Sequence, residues 1–109
     1  MMHNFLALAG LGGSGGGGSS DWSTCTMTIV SNESNCIVDI PSVDVENNCI
    51  TLYEDEPSAG TTLVLPLYKG KLIVPEVVDF WTDTATFSGA AEVDDNNNLV
   101  ITGDCSVTM

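Results

Sequence analysis

Apolar residues that alternate with a period of two, a bias toward Thr, Val and Ile, and turn-forming clusters about every ten residues predict an all-β domain over residues 23–109. Such a pattern fits a small antiparallel sandwich or barrel, Ig-like or jelly-roll-like, preceded here by a flexible N-terminal tether.

Composition divides the chain into an apolar head at 1–9, a Gly/Ser-rich tether at 10–22 and the β domain at 23–109. In and just beyond the head, Phe5, Leu6, Leu8 and Leu11 are able to share one side of a helical turn or two, although an isolated helix below about 12 residues is marginal. Ala7-Leu8-Ala9 imitates a signal-cleavage site, but no Lys or Arg precedes the apolar run and only Asn4 to Leu6 remain as its hydrophobic region. A secretory leader is therefore not expected. Residues 10–20, GLGGSGGGGSS, hold seven of the eleven glycines. They cannot pack a core and give a tether with a span of roughly 17 to 20 Å.

Strands are expected at 23–30, 36–40, 43–46, 49–54, 61–68, 71–74, 85–93, 98–102 and 104–109. Between them, residues 31–35, 46–48, 54–60, Lys69-Gly70 and 94–98 supply side chains that tolerate turns or positive φ. Lys69-Gly70, flanked by Leu63 to Tyr68 and by Lys71 to Val74, predicts a two-residue hairpin. Pro41, Pro66 and Pro75 remove ladder donors and belong at edges, bulges or strand ends. The segment 75–81 has the one helix-compatible spacing of the domain and reads as a loop or a single turn.

Charge narrows the partners. Lys69 and Lys71 are the only cationic side chains, and the formal net charge is -13. Affinity for a phosphate backbone comes from Lys and Arg displacing counterions, so nucleic acid is excluded as a partner. Anionic membrane surfaces are disfavoured for the same reason, and no stretch approaches the roughly 18 apolar residues of a membrane-spanning helix. A domain of this size buries only roughly 60 to 65% of its extended surface, which makes association with a partner or with itself as a homo-oligomer a reasonable expectation.

Cys25, Cys36, Cys49 and Cys105 include no C-x-x-C pair, so zinc-ribbon and thioredoxin-type spacings are absent. Cys25, Cys36 and Cys105 alternate in phase with apolar neighbours and are expected to be small buried hydrophobes. Disulfides in a secreted chain, or metal ligation, are the alternatives.

Reactive chemistry finds little support. The sole histidine, His3, lies on the head, ahead of the tether. Glu54, Asp55, Glu56, Asp94 and Asp95 fall in predicted turns, where solvent keeps them ionised, whereas glycosidase chemistry needs two carboxylates facing across a cleft. Gly12 to Gly18 lacks the preceding strand, the following helix and the G-K-[ST] of a phosphate loop. Asp94, Asn96 and Asn98 open like a calcium loop, but Leu99 stands at its sixth position and Cys105 at its twelfth, so a hairpin turn is expected. Asn32-Glu33-Ser34 is a glycosylation sequon of the kind that arises by accident. No catalytic residue, cofactor or metal site is expected. Trp22, where the tether meets the first strand, and the adjacent pair Phe80-Trp81 are candidates either for core packing or for interface anchoring; period-two geometry turns one ring of the pair inward and one outward. Together with Phe5, Leu6, Leu8 and Leu11 they form the candidate partner-binding set.

The apolar head, the glycine tract running into Gly18-Ser19-Ser20-Asp21-Trp22-Ser23, the Leu67-Tyr68-Lys69-Gly70-Lys71 hairpin and the final Ile101-Thr102-Gly103-Asp104-Cys105-Ser106-Val107-Thr108 strand complete the layout. In that layout the chain resembles small virion-associated proteins of tailed bacteriophages, which include head-decoration and head-fibre proteins. The resemblance implies a non-enzymatic virion protein assembled in the host cytoplasm. Its head would dock on a capsid or connector protein, its tether would span the gap, and its β domain would be displayed outside. A secreted or surface-displayed binding or adhesion domain is the alternative; it implies an extracellular location, cleavage near Ala9 and oxidised cysteines.

Overall fold

The computed structural model describes residues 21–44 and 46–109, so the head and most of the tether lie outside the described residues. Seven strands and one helical turn follow one another: β1 (Trp22–Ser31), β2 (Val38–Asp44), β3 (Cys49–Asp55), β4 (Thr62–Tyr68), β5 (Leu72–Val74), α1 (Val77–Phe80), β6 (Thr86–Val93) and β7 (Leu99–Thr108). The domain is all-β, as the alternation predicts. In β1, Cys25, Met27 and Ile29 are buried while Thr24, Thr26, Thr28 and Val30 face solvent, which is the period of two of a half-buried strand.

The strands form a five-stranded mixed sheet and a two-stranded hairpin. β1 pairs antiparallel with β4 on one side and, through Met27 to Ser31, parallel with residues 105–108 of β7 on the other. β7 pairs antiparallel with β6 over Leu99 to Thr108 and with β5 over Leu99 to Ile101. Because one backbone offers only two edges, β1 and β5 share one edge of β7 and β6 occupies the other. Sheet two is the β2–β3 hairpin, whose strand β2 lies against β4 and α1. Every strand and α1 contribute to one apolar cluster between the layers, with Met27, Ile29, Ile40, Ile50, Leu65, Leu72, Leu99 and Ile101 fully enclosed.

Three expectations change. First, 36–40 and 43–46 form a single strand, β2, which runs through Pro41; the missing donor is tolerated because β2 hydrogen-bonds to β3 alone. Pro66 likewise sits in β4, the end strand of its sheet. Second, 98–102 and 104–109 are one strand, β7, unbroken at Gly103. Third, the Lys69-Gly70 turn forms, with φ of 55° and 80° and with reciprocal bonds Tyr68 N–H to Lys71 O (2.9 Å) and Lys71 N–H to Tyr68 O (3.2 Å). Its hairpin nevertheless stops after that one bridge, because β4 continues along β1 while β5 turns away to β7. The single turn expected within 75–81 is α1, tied to the β6–β7 turn by Val77 N–H donating to Asn97 O at 2.8 Å.

Candidate interaction surfaces

Of the seven candidate partner-binding residues, Phe5, Leu6, Leu8 and Leu11 lie outside the described residues. Trp22 is half-buried at the start of β1, where its indole N–H donates to Asn48 Oδ1 (3.1 Å) and its ring meets Tyr68 edge-on at 5.0 Å. It ties the first strand of one sheet to the turn of the other. Trp81 follows α1 and is only 5% exposed, in edge-on contact with Phe87 at 5.7 Å. Phe80 is half-buried at the rim. The pair closes α1 instead of lying in a strand, so the expected inward–outward division does not arise: Phe80 packs against the core cluster and Trp81 is enclosed in it, where its ring cannot serve as a surface anchor. The indole Nε1 of Trp81 is buried with no partner among the described residues.

Two of the thiols and several of the carboxylates have a structural occupation. All four thiols are free; Cys25 and Cys105 are buried, while Cys36 and Cys49 are half-buried. Burial pushes the Cys105 thiol up to about 11, with Cys25 and the Asp104 carboxylate adding to the effect, and burial with Asp104 raises Cys25 as well. Such thiols stay protonated and are poor nucleophiles at neutral pH. Asp94 Oδ1 accepts from the amides of Asn96 and Asn98, both at 2.9 Å, so D-x-N-x-N is an Asx-type turn that closes the β6–β7 hairpin with Asn97 at φ 63°. Asp104 Oδ1 accepts from the Thr26 amide at 2.9 Å, stitching β7 to β1. Asp44 is held below its usual value by hydrogen bonds from the side chain and backbone of Asn47. The sequon residue Asn32 is also engaged: its amide nitrogen donates to Cys36 O (3.1 Å) and Pro57 O (2.8 Å), and its oxygen accepts from Cys36 N–H (2.9 Å). Among the described residues no group of three or more His, Cys, Asp or Glu is placed to hold a metal ion, and no helix is long and apolar enough to cross a membrane.

One surface escapes a residue-by-residue reading. β6 pairs with β7 alone, so one edge of Thr86–Val93 presents backbone N–H and C=O groups that no strand among the described residues takes up. Its sequence, TFSGAAEV, contains neither Pro nor Lys; of the features that blunt such an edge it carries a bulge and the charge of Glu92. The ladder shifts between Gly89 and Ala91, and Gly89 holds φ 87° against the backbone of Asp104 and Cys105. Beside this bulge lies an open depression of about 280 Å³ lined by Gly89, Ala90, Ala91, Glu92, Val100 and Thr102. The same outer face carries a row of hydroxyls in direct register, Thr62, Thr28, Ser106 and Ser88, with Ser88 and Ser106 oxygens 2.9 Å apart. In sequence, the absence of Lys and Pro from 86–93 is the only local trace of this edge; which strand ends a sheet is decided by long-range pairing.

Compared with known proteins, the chain matches no protein-family model, no curated protein and no solved structure.

Proposed function

We propose that the chain is a non-enzymatic structural accessory of a virion, a capsid-decoration or head-fibre module held in place by its N-terminal head. The observation that carries this reading is that β1 begins at Trp22, just after the glycine-rich run, and that among the described residues the strands share one apolar core. The apolar side chains of Phe5, Leu6, Leu8 and Leu11 are then the anchor, on a capsid or other virion protein. Burying each is worth roughly 1.5 to 3 kcal/mol, enough together to offset the ordering of a short peptide. Lack of catalysis is supported by what the reactive groups do: the Asp94 and Asp104 carboxylates hold the turn and the strand seam, and the Cys25 and Cys105 thiols are protonated core residues. A surface of net charge -13 keeps the displayed domain soluble and apart from nucleic acid.

The test is to sediment particles produced with the full chain and to weigh the recovered protein intact under non-reducing conditions. The reading expects it in the particle fraction, with residues 1–20 retained and four free thiols. A soluble chain cut near Ala9 with oxidised cysteines contradicts it and favours the secreted binding domain.

A further inference from the structure

We propose that the open edge of β6 is a docking site for an extended, Lys- or Arg-bearing segment of another protein, which adds to the sheet as a further strand. This inference does not depend on the virion reading.

The edge supplies the affinity. An incoming strand would pair with the outward N–H and C=O groups of Thr86–Val93, as in other complexes where a peptide extends a sheet. The other open edges are less suited. β4 ends its sheet with Pro66 in the strand and β2 against it, and β5 is three residues long. β3 belongs to a two-stranded ribbon, where twist is strongest.

Charge selects the occupant. The middle of β6, Thr86 to Ala91, is uncharged, while Asp83 lies just before the strand and Glu92, Asp94 and Asp95 lie at its far end. A partner strand therefore meets carboxylates at both ends, whichever way it runs. A second copy of β6 would set these acids against their own equivalents, so self-pairing is opposed. The chain's own N-terminal residues 1–11 have His3 as their one ionisable side chain and offer the acids little. A strand with an uncharged middle and cations at its ends is complementary. The depression at the bulge, with Glu92 among its lining residues, adds a place for one such cation.

The test uses the full chain and a blocked nonapeptide with Lys at both ends and alternating Val and Thr or Ser between them. Two control peptides carry Glu at the ends or N-methyl groups on alternate amides. Binding is followed by calorimetry and by residue-resolved amide exchange. The Lys-ended peptide is expected to slow exchange at outward amides of β6 and not of β3, and to bind roughly tenfold tighter than the Glu-ended one, since two exposed ion pairs become two repulsions. N-methylation should abolish binding, and the surface substitution Glu92→Lys should shift preference toward the Glu-ended peptide. Absence of protection on β6 overturns the proposal, as does binding indifferent to N-methylation, which would be charge attraction without strand addition. β6 amides already protected before peptide is added, in a dimer or in a monomer, would assign the edge to a second copy or to the chain's own head and overturn the choice of occupant.

Discussion

Gly89 is the position where one added methyl should do most damage. Its φ of 87° is a conformation that a residue with a Cβ enters at about 1 to 2 kcal/mol, and a Cβ there would stand 3.0 Å from both Asp104 O and Cys105 Cα. Both neighbours are backbone of β7, so relief requires β6 and β7 to separate at the bulge, adding about 1 to 3 kcal/mol of overpacking. Gly89→Ala should therefore lose about 2 to 5 kcal/mol. A domain this small has a total stability of roughly 5 to 10 kcal/mol. Gly60 is the internal control: its φ is 91°, yet nothing lies within 4 Å of the point where an added Cβ would stand, so Gly60→Ala should lose only the conformational part, about 1 to 2 kcal/mol. Urea unfolding followed by tryptophan fluorescence measures both. Equal losses in the two variants would refute the close approach of β7 to Gly89.

Other expectations follow from the same packing. Removal of residues 1–20 should leave the thermal transition within a few degrees of the full chain, since the glycine-rich run has almost nothing to bury and its glycines gain most entropy when left free; loss of a cooperative melt would make the head part of the core. Trp81→Phe should change stability by no more than about 1 kcal/mol, because the lost volume is offset by removing a buried N–H without a partner, whereas Trp81→Ala should lose about 3 to 5 kcal/mol. A urea titration in which Trp81→Phe costs as much as Trp81→Ala would show that Nε1 has a partner. The raised Cys105 thiol favours folding while protonated: its contribution is complete below the unfolded value of 9.0 and is lost as pH rises through about 11. Stability should thus decline over that window, less steeply in Cys105→Ala, and at pH 8 a thiol reagent should modify Cys36 and Cys49 well before Cys25 and Cys105. Uniform labelling of the native protein would contradict the burial.

What the sequence could convey follows from the range over which each interaction acts. The Thr24-Cys25-Thr26-Met27-Thr28-Ile29 alternation announces β1 directly, because which side chain faces inward depends only on the strand period. Asp94-Asp95-Asn96-Asn97-Asn98 announces its turn for a similar reason, since the Asp94 carboxylate and the positive φ of Asn97 are local. Pairing is not local. Pro41 suggests a break in β2 until its strand is known to have one partner, and Lys69-Gly70 suggests a long hairpin until β5 is seen on β7. The parallel join of β1 to β7 links Met27 to Cys105 across most of the domain, and it is this join that leaves β6 at the edge. The aromatic candidates show the same limit: a period of two turns one ring of Phe80-Trp81 outward only if the pair lies in a strand, and at the end of α1 both rings pack on the core, Trp81 against Phe87.

The central claim, that the head anchors a self-contained displayed domain, is tested most directly by replacing Phe5 and Leu8 together with Ser and measuring incorporation into particles beside the melting temperature of the free protein. Lost incorporation with an unchanged melt is the predicted result; incorporation equal to that of the parent chain would contradict it.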